Sequence, residues 1–446
     1  MSLVAGANYR LEFASAARQR HARAWLLLAT LAVTASSVFA ILIVLARVPA
    51  LGVLFPGAPF YRIALTLHVN LSQWVWFMAF AAVLWTAAAR REPGWLDTLV
   101  LWLGALGALA MACSPLLGPV APITSNYIPV LDTPWFLAGL ALYGVAVSIK
   151  AGGMLLAAIR PASADFYRAT LDWGLWLAAL CLLCAVALLA RVAVVMPAES
   201  SGLAYFETLF WAAGHVWQFC LVLLMMLSWL CCLPPQVSAP PPRPVAALLA
   251  LGALPALVAL APGMLWDVGD ATYFGAFTTL MQWTTWPAPV LLVGAIVATS
   301  QRAPLSVTLS WGLLAAGLVL GASIDGQTTL VTAHYHGTIG AVTVAFMGLT
   351  YGLLPSLQLR APDARRVRIQ LNCYAFGNLL MMAGLAGAGW MGAPRKMAGN
   401  VGMELSVETL SRMVMGLGGV LAMIGIWMFS WLVLRALTTR KEWNRG

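Results

Sequence analysis

The chain has 446 residues, of which 62% are hydrophobic and only 9% charged, a balance that excludes a soluble globular domain and a disordered chain alike. Its net charge of +10 would suit a nucleic-acid binder, but the basic residues are dealt out between apolar runs instead of forming one patch. The charge is therefore read as membrane topology, and nucleic acid is not expected as a partner.

In chain order, a polar and basic segment at 1–23 comes first, followed by an apolar run too long for the core of a cleavable leader, so the run reads as a retained first span. Runs of the ~20 apolar residues needed to cross a bilayer then recur to the end. Twelve transmembrane helices are predicted, at roughly 24–46, 63–89, 95–113, 134–158, 171–195, 204–232, 245–262, 273–299, 306–323, 328–355, 369–391 and 413–436. The fold class is thus all-α and polytopic, one transmembrane domain over 1–446, with lipid as its surroundings. Arg10, Arg18, Arg20 and Arg23 precede the first span, Arg90 and Arg91 follow the second, and Arg360, Arg365, Arg366 and Arg368 follow the tenth. Asp132, Glu199, Asp267, Asp270 and Asp325 lie on the opposite side. Positive charge marks the cytoplasmic face, so the segment 1–23 and the tail 437–446 are both expected there.

Five histidines are few for this length, yet four of them fall inside predicted spans: His68 in the second, His215 in the sixth, and His334 and His336 in the tenth. An imidazole in hydrocarbon has few partners, which makes each a functional candidate. Residues two apart on a helix point about 200° from each other, so His334 and His336 serve opposite flanks of one helix. The seven cysteines sit within or at the ends of spans, and Cys181 and Cys184, though spaced as CxxC, read as apolar packing among leucines. Lys150 reads as snorkelling towards the cytoplasm. Glu207 reads either as an interfacial charge or as part of an outer proton path. Phosphate loops, nucleophile elbows and serine triads are missing from the sequence.

A histidine in the second span, one in the sixth and an HxH in the tenth of twelve resemble the catalytic subunit I of the heme-copper oxidase superfamily. The likeness extends to Gly392-Ala393-Pro394-Arg395-Lys396, to Asn126 through Asp132, and to Leu71 through Phe77. Among its branches these stretches look most like the nitric oxide reductase-related one. The resemblance implies that His68 and His336 clamp a low-spin heme and that His334 is the proximal ligand of a high-spin heme. It also implies that His215 stands on the distal side, at a non-heme copper or iron, and that Arg395 and Lys396 meet the heme propionates. Heme b is implied for both hemes, since no CxxCH is present for covalent attachment. A multi-pass protein of the bacterial inner membrane is implied too. Its expected role is respiratory electron transport: reduction of nitric oxide, or of dioxygen, with electrons from a partner cytochrome c or cupredoxin subunit.

The chain departs from that pattern at two places. The family's adjacent histidines in the seventh span are missing from Pro262-Gly263-Met264-Leu265-Trp266-Asp267, and the position four residues after His215 holds Phe219. Three histidines suit copper or iron, whereas His215 alone is a poor site. Met264, Asp267 and Asp270 are open as substitute ligands or as plain surface groups. The second reading is accordingly a non-catalytic diheme electron-transfer, gas-sensing or scaffold relative that has lost the non-heme metal.

Overall fold

A computed structural model describes residues 9–47, 57–157, 165–197, 199–236, 238–300, 302–395 and 406–439. The elements are α1 (Ala16–Arg47), α2 (Gly57–Val69), a π-helical stretch (Asn70–Val75), α3 (Trp76–Ala88) and α4 (Trp95–Cys113). A two-stranded antiparallel hairpin follows, β1 (Ala121–Ile123) with β2 (Val130–Asp132), pairing Pro122 opposite Leu131. Then come α5 (Pro134–Ala157), α6 (Phe166–Val195), α7 (Gly202–Cys232), α8 (Pro242–Val258) and α9 (Leu260–Leu265). The last are α10 (Ala271–Thr284), α11 (Pro287–Thr299), α12 (Leu305–Ala322), α13 (Thr329–Leu353), α14 (Ala364–Trp390) and α15 (Val407–Thr438).

The expected spans reappear with three changes. The first helix begins at Ala16, inside the segment 1–23 expected to be polar tail, and His21 is buried in it with Nε2 accepting from the Trp25 indole N–H at 3.1 Å. The seventh span is interrupted after Val258, whose carbonyl faces Pro262 one turn on, a residue without the N–H that would continue the ladder. The eighth span breaks at Trp286, and α11 restarts with Pro287. Eleven helices are long and apolar enough among the described residues to cross a membrane. The twelfth, α13, has 25 residues, enough length to span, and carries His334, Tyr335 and His336, which dilute its hydropathy. α13 packs between α12, α14 and α7, and so lies inside the bundle.

One core runs through the bundle, with α3, α7 and α13 at its centre. Every residue from Trp76 to Ala88 is buried, as is most of α7 from Ala212 to Leu230. Long exposed leucines, valines and tryptophans on α4, α8, α10 and α11 face outward, as an apolar solvent allows. Backbone hydrogen bonds are closed within each helix, the condition for crossing hydrocarbon.

Lys150 does not snorkel. Its Nζ lies 3.6 Å from Asp97 Oδ1, and Arg91 Nη1 lies 2.8 Å from the other oxygen of the same carboxylate. Lys150 is 9% exposed. An ammonium buried this deeply needs a partner, and the first turn of α4 supplies one.

Candidate functional site

His68 sits at the end of α2, next to the π-helical stretch, a local widening that often marks functional positions. The Ser72 hydroxyl donates to the His68 carbonyl one turn back, at 2.6 Å. Ser36 of α1 also donates its hydroxyl proton to that carbonyl, at 2.9 Å. Its Oγ, having given its proton away, accepts from His68 Nδ1 at 2.9 Å, and the Ser36 carbonyl, which can only accept, stands 3.2 Å from the same nitrogen. The proton is thus fixed on Nδ1 and the lone pair on Nε2.

His336 reaches the same tautomer by a different route. Its Nδ1–H donates to the Thr332 carbonyl one turn back, at 2.8 Å, while its ring stacks on Tyr335 at 5.0 Å. His68 and His336 line one cavity between α1, α2, α13, α14 and α15. Its wall includes Ser36, Gln73, Thr332, Thr343, Asn378 and Trp76, whose buried indole N–H finds no protein partner. Two imidazoles with their protons on Nδ1, lining one apolar slot with an orphaned donor, fit a porphyrin.

His334 points to the other flank, as its spacing requires. Its Nδ1–H donates to the Gly317 carbonyl of α12 at 2.7 Å. That bond depends on a close helix approach. A Cβ at Gly317 would lie 2.8 Å from the Thr338 nitrogen, and one at Gly321 would lie 2.6 Å from His334 Nδ1. A ring N–H held by a carbonyl is the usual arrangement behind a metal-ligating histidine. His334 thus has its ring proton held in the manner of a metal ligand, on the flank of α13 opposite His336.

His215, in the middle of α7 and 2% exposed, repeats the pattern: Nδ1–H donates to the Trp211 carbonyl at 2.7 Å. What surrounds it differs from a metal centre. Ring centroids of Tyr127, Trp211 and Phe277 lie 4.8, 4.9 and 6.3 Å from its own. Phe219, one turn on, is fully buried. Tyr127 arrives from the β1–β2 hairpin with φ 64, a left-handed conformation that is uncommon for a bulky residue. It lies directly over Gly214, where any side chain would strike its ring. The Tyr127 hydroxyl is 3.5 Å from the Gln218 amide nitrogen, which donates to it, and 3.7 Å from Met281 Sδ. Burial pushes the phenol pKa above its usual value.

The substitute ligands do not reach this place. Met264, Asp267 and Asp270 are exposed, and the Asp270 carboxylate caps α10 by accepting from the Thr272 N–H at 3.3 Å. No three His, Cys, Asp or Glu side chains converge among the described residues. The donor set around His215 does not fit the copper or iron that the family places there.

Arg395 follows α14, at the end of the bundle that carries the β1–β2 hairpin. Its chain folds back onto the start of α13, with Thr329 N–H donating to the Ala393 carbonyl at 2.9 Å and Arg395 N–H to the Gln327 carbonyl at 3.3 Å. Its Nη2 donates to Asn126 Oδ1 at 2.6 Å. Burial lowers its pKa, opposed by Tyr335, Glu207 and Tyr127. Lys396 lies outside the described residues. Sequence reading passed over Ser36, Gly317 and Asp97 and gave Tyr127 no role. The buried Gly214 beside His215 was the one local sign of a close approach.

Comparison with known proteins agrees with this frame. Residues 20–421 match the family model for cytochrome c and quinol oxidase polypeptide I. A protein of Rickettsia prowazekii (strain Madrid E), described only as uncharacterized, is 24% identical over 487 residues, covering 92% of this chain and 94% of its own. Another uncharacterized protein, from Aquifex aeolicus (strain VF5), is 28% identical over 352 residues, covering 75% of this chain and 84% of its own. With nearly the whole bundle matched, the chain belongs to the cytochrome c and quinol oxidase polypeptide I family, subunit I of the heme-copper oxidases.

Proposed function

We propose that the chain is a diheme electron-transfer and gas-binding subunit of the bacterial inner membrane that works without the family's non-heme metal. His68 and His336 would hold a low-spin heme b through Nε2, and His334 a second heme on the opposite flank of α13. A bis-histidine heme supplies a one-electron carrier with no open position, while a heme with one histidine keeps a position for a small gas such as nitric oxide or dioxygen. Ser36, Thr332 and Gly317 hold the rings by their Nδ1 protons, which orients each imidazole and raises its basicity. Arg395, and Lys396 beyond it, would neutralise the propionates. Electrons would come from a partner cytochrome c or cupredoxin subunit.

One observation favours this reading over nitric oxide reduction: Tyr127, Trp211 and Phe277 occupy the surroundings of His215, where a second metal needs ligands. His215 is then a polar contact on the distal side, not one member of a ligand set.

The test is elemental and heme analysis of the purified full chain. Two hemes per chain are expected, with iron equal to heme iron and no copper. His68→Ala and His336→Ala should each remove the sharp low-spin α band, and His334→Ala the heme that binds CO. A stoichiometric extra iron or copper, together with turnover of nitric oxide or dioxygen, would overturn the reading in favour of the catalytic one.

A further inference from the structure

At the basic end of the bundle the first turn of α14 meets the last turn of α15. The two helices are antiparallel neighbours along their whole length, brought close by glycines such as Gly384 and Gly425. Arg366 from α14 and Arg435 from α15 both reach the same ring: their guanidinium carbons lie 5.5 and 5.4 Å from the centroid of Trp431. Trp431 is 50% exposed. Among the described residues neither arginine enters an ion pair. The neighbouring carboxylate, Asp363, is engaged in capping α14, accepting from the N–H groups of Arg365 and Arg366 at 3.0 and 3.2 Å.

Each arginine alone has an ordinary explanation. Arg366 obeys the topology rule, and Arg435 complements the C-terminal end of its helix. Neither explains why two like charges converge on one indole. A ring face attracts a cation weakly when exposed, and a second cation at the same ring adds repulsion. A phosphodiester beside the ring would offset both, since a guanidinium binds phosphate oxygens in pairs. From Trp431 towards the membrane interior, Ile369 and Phe376 on α14, and Trp427 and Ile424 on α15, form an exposed apolar strip in register with the two arginines. An anion at this place therefore has hydrocarbon directly beneath it.

The geometry points to a binding site for an anionic diacyl phospholipid, with its phosphate between Arg366 and Arg435 over Trp431 and its acyl chains on the α14–α15 strip. A zwitterionic lipid carries the same phosphate, but its ammonium would meet two guanidiniums, so the site discriminates by headgroup charge. This inference is independent of what the hemes do.

Native mass spectrometry of the full chain in detergent tests it, with phosphatidylglycerol and phosphatidylcholine of identical chains added in equal amounts. The unaltered chain should retain phosphatidylglycerol about tenfold better, and equal retention overturns the proposal without any variant. Arg366→Gln/Arg435→Gln should bring the preference close to one, while Arg302→Gln, elsewhere on the basic face, leaves it intact. An equal loss in Arg302→Gln would mean a diffuse charge effect and refute the site. Displacement of the lipid by 10 mM inorganic phosphate (about the concentration that screens exposed charges only weakly) would make it a plain anion site, and would likewise overturn it.

Discussion

The ring of Tyr127 over His215 can be dislodged by one methyl group. In Gly214→Ala the new Cβ would strike Tyr127 Cγ and lie 2.7 Å from Cδ1 and Cδ2, inside any contact that real side chains make, so the ring or the helix must move. Moving the ring is resisted: its backbone is already at φ 64, its hydroxyl is held at Gln218 and Met281, and its edge lies against Trp211 with centroids 6.3 Å apart. Overpacking of this kind costs about 1–3 kcal/mol. Alanine is better than glycine inside a helix by about 0.5–1 kcal/mol, so the net loss should be about 0.5–2 kcal/mol. In a Tyr127→Ala background the clash disappears and only the propensity gain remains, so the sign reverses. A double-mutant cycle on unfolding midpoints in detergent should return a coupling of about 1–3 kcal/mol between the two sites. An equal cost of Gly214→Ala in both backgrounds would show that Tyr127 does not sit on Gly214, and the filled site around His215 would fall with it.

Three further outcomes follow from the same geometry. Gly321→Ala places a methyl group 2.6 Å from His334 Nδ1 and should push the imidazole off the Gly317 carbonyl, lowering CO binding while the low-spin α band persists; loss of both signals together would contradict the two-flank assignment. Asp97→Asn leaves Lys150 buried without its counter-charge and should cost about 3–5 kcal/mol, whereas Lys150→Met leaves Asp97 with Arg91 and should cost far less; equal thermal shifts would refute this asymmetry. Because burial raises the folded pKa of Tyr127, the folded chain keeps a proton that the unfolded chain loses. That contribution is full below about pH 10 and falls by up to ~1.4 kcal/mol per pH unit above it. Tyr127→Phe should flatten the alkaline slope of stability without abolishing it, since Tyr9 is raised in the same direction; an unchanged slope would count against the burial.

The parts of the fold written in local pattern were legible from sequence. Hydropathy marks the spans because each must be apolar over one bilayer width, and the spacing of His334 and His336 dictates opposite flanks whatever packs there. Breaks within two spans were missed because a proline in a long apolar run lowers mean hydropathy very little, although it removes a ladder hydrogen bond. The environment of Lys150 was misread for a different reason: its partner Asp97 is on another helix, and only the packing of α4 on α5 through Gly107 and Gly139 brings them together. Tyr127 was harder still. Its ring reaches His215 from a hairpin outside the spans, and no periodicity encodes that.

The histidines themselves carry the strongest physical argument for what the bundle holds. An imidazole in an apolar core must satisfy its N–H, and an unmet donor there costs about 1–3 kcal/mol. In His68, His215, His334 and His336 alike, the oxygen that the protein supplies meets Nδ1: a serine and its carbonyl, Trp211, Gly317 and Thr332. Four independent local solutions on three spans thus converge on one tautomer, with the basic lone pair on Nε2. At His215 and His336 the acceptor is the carbonyl one turn back, which helix geometry alone sets within reach of Nδ1, whereas at His68 and His334 the acceptors, Ser36 and Gly317, belong to neighbouring helices and are placed there by packing. In each case Nε2 projects farthest from the helix, the atom that would meet an iron centred in a neighbouring slot. The chain departs from its family only where ligation needs several such nitrogens at one point: around His215, aromatic rings stand where further ligands would have to be.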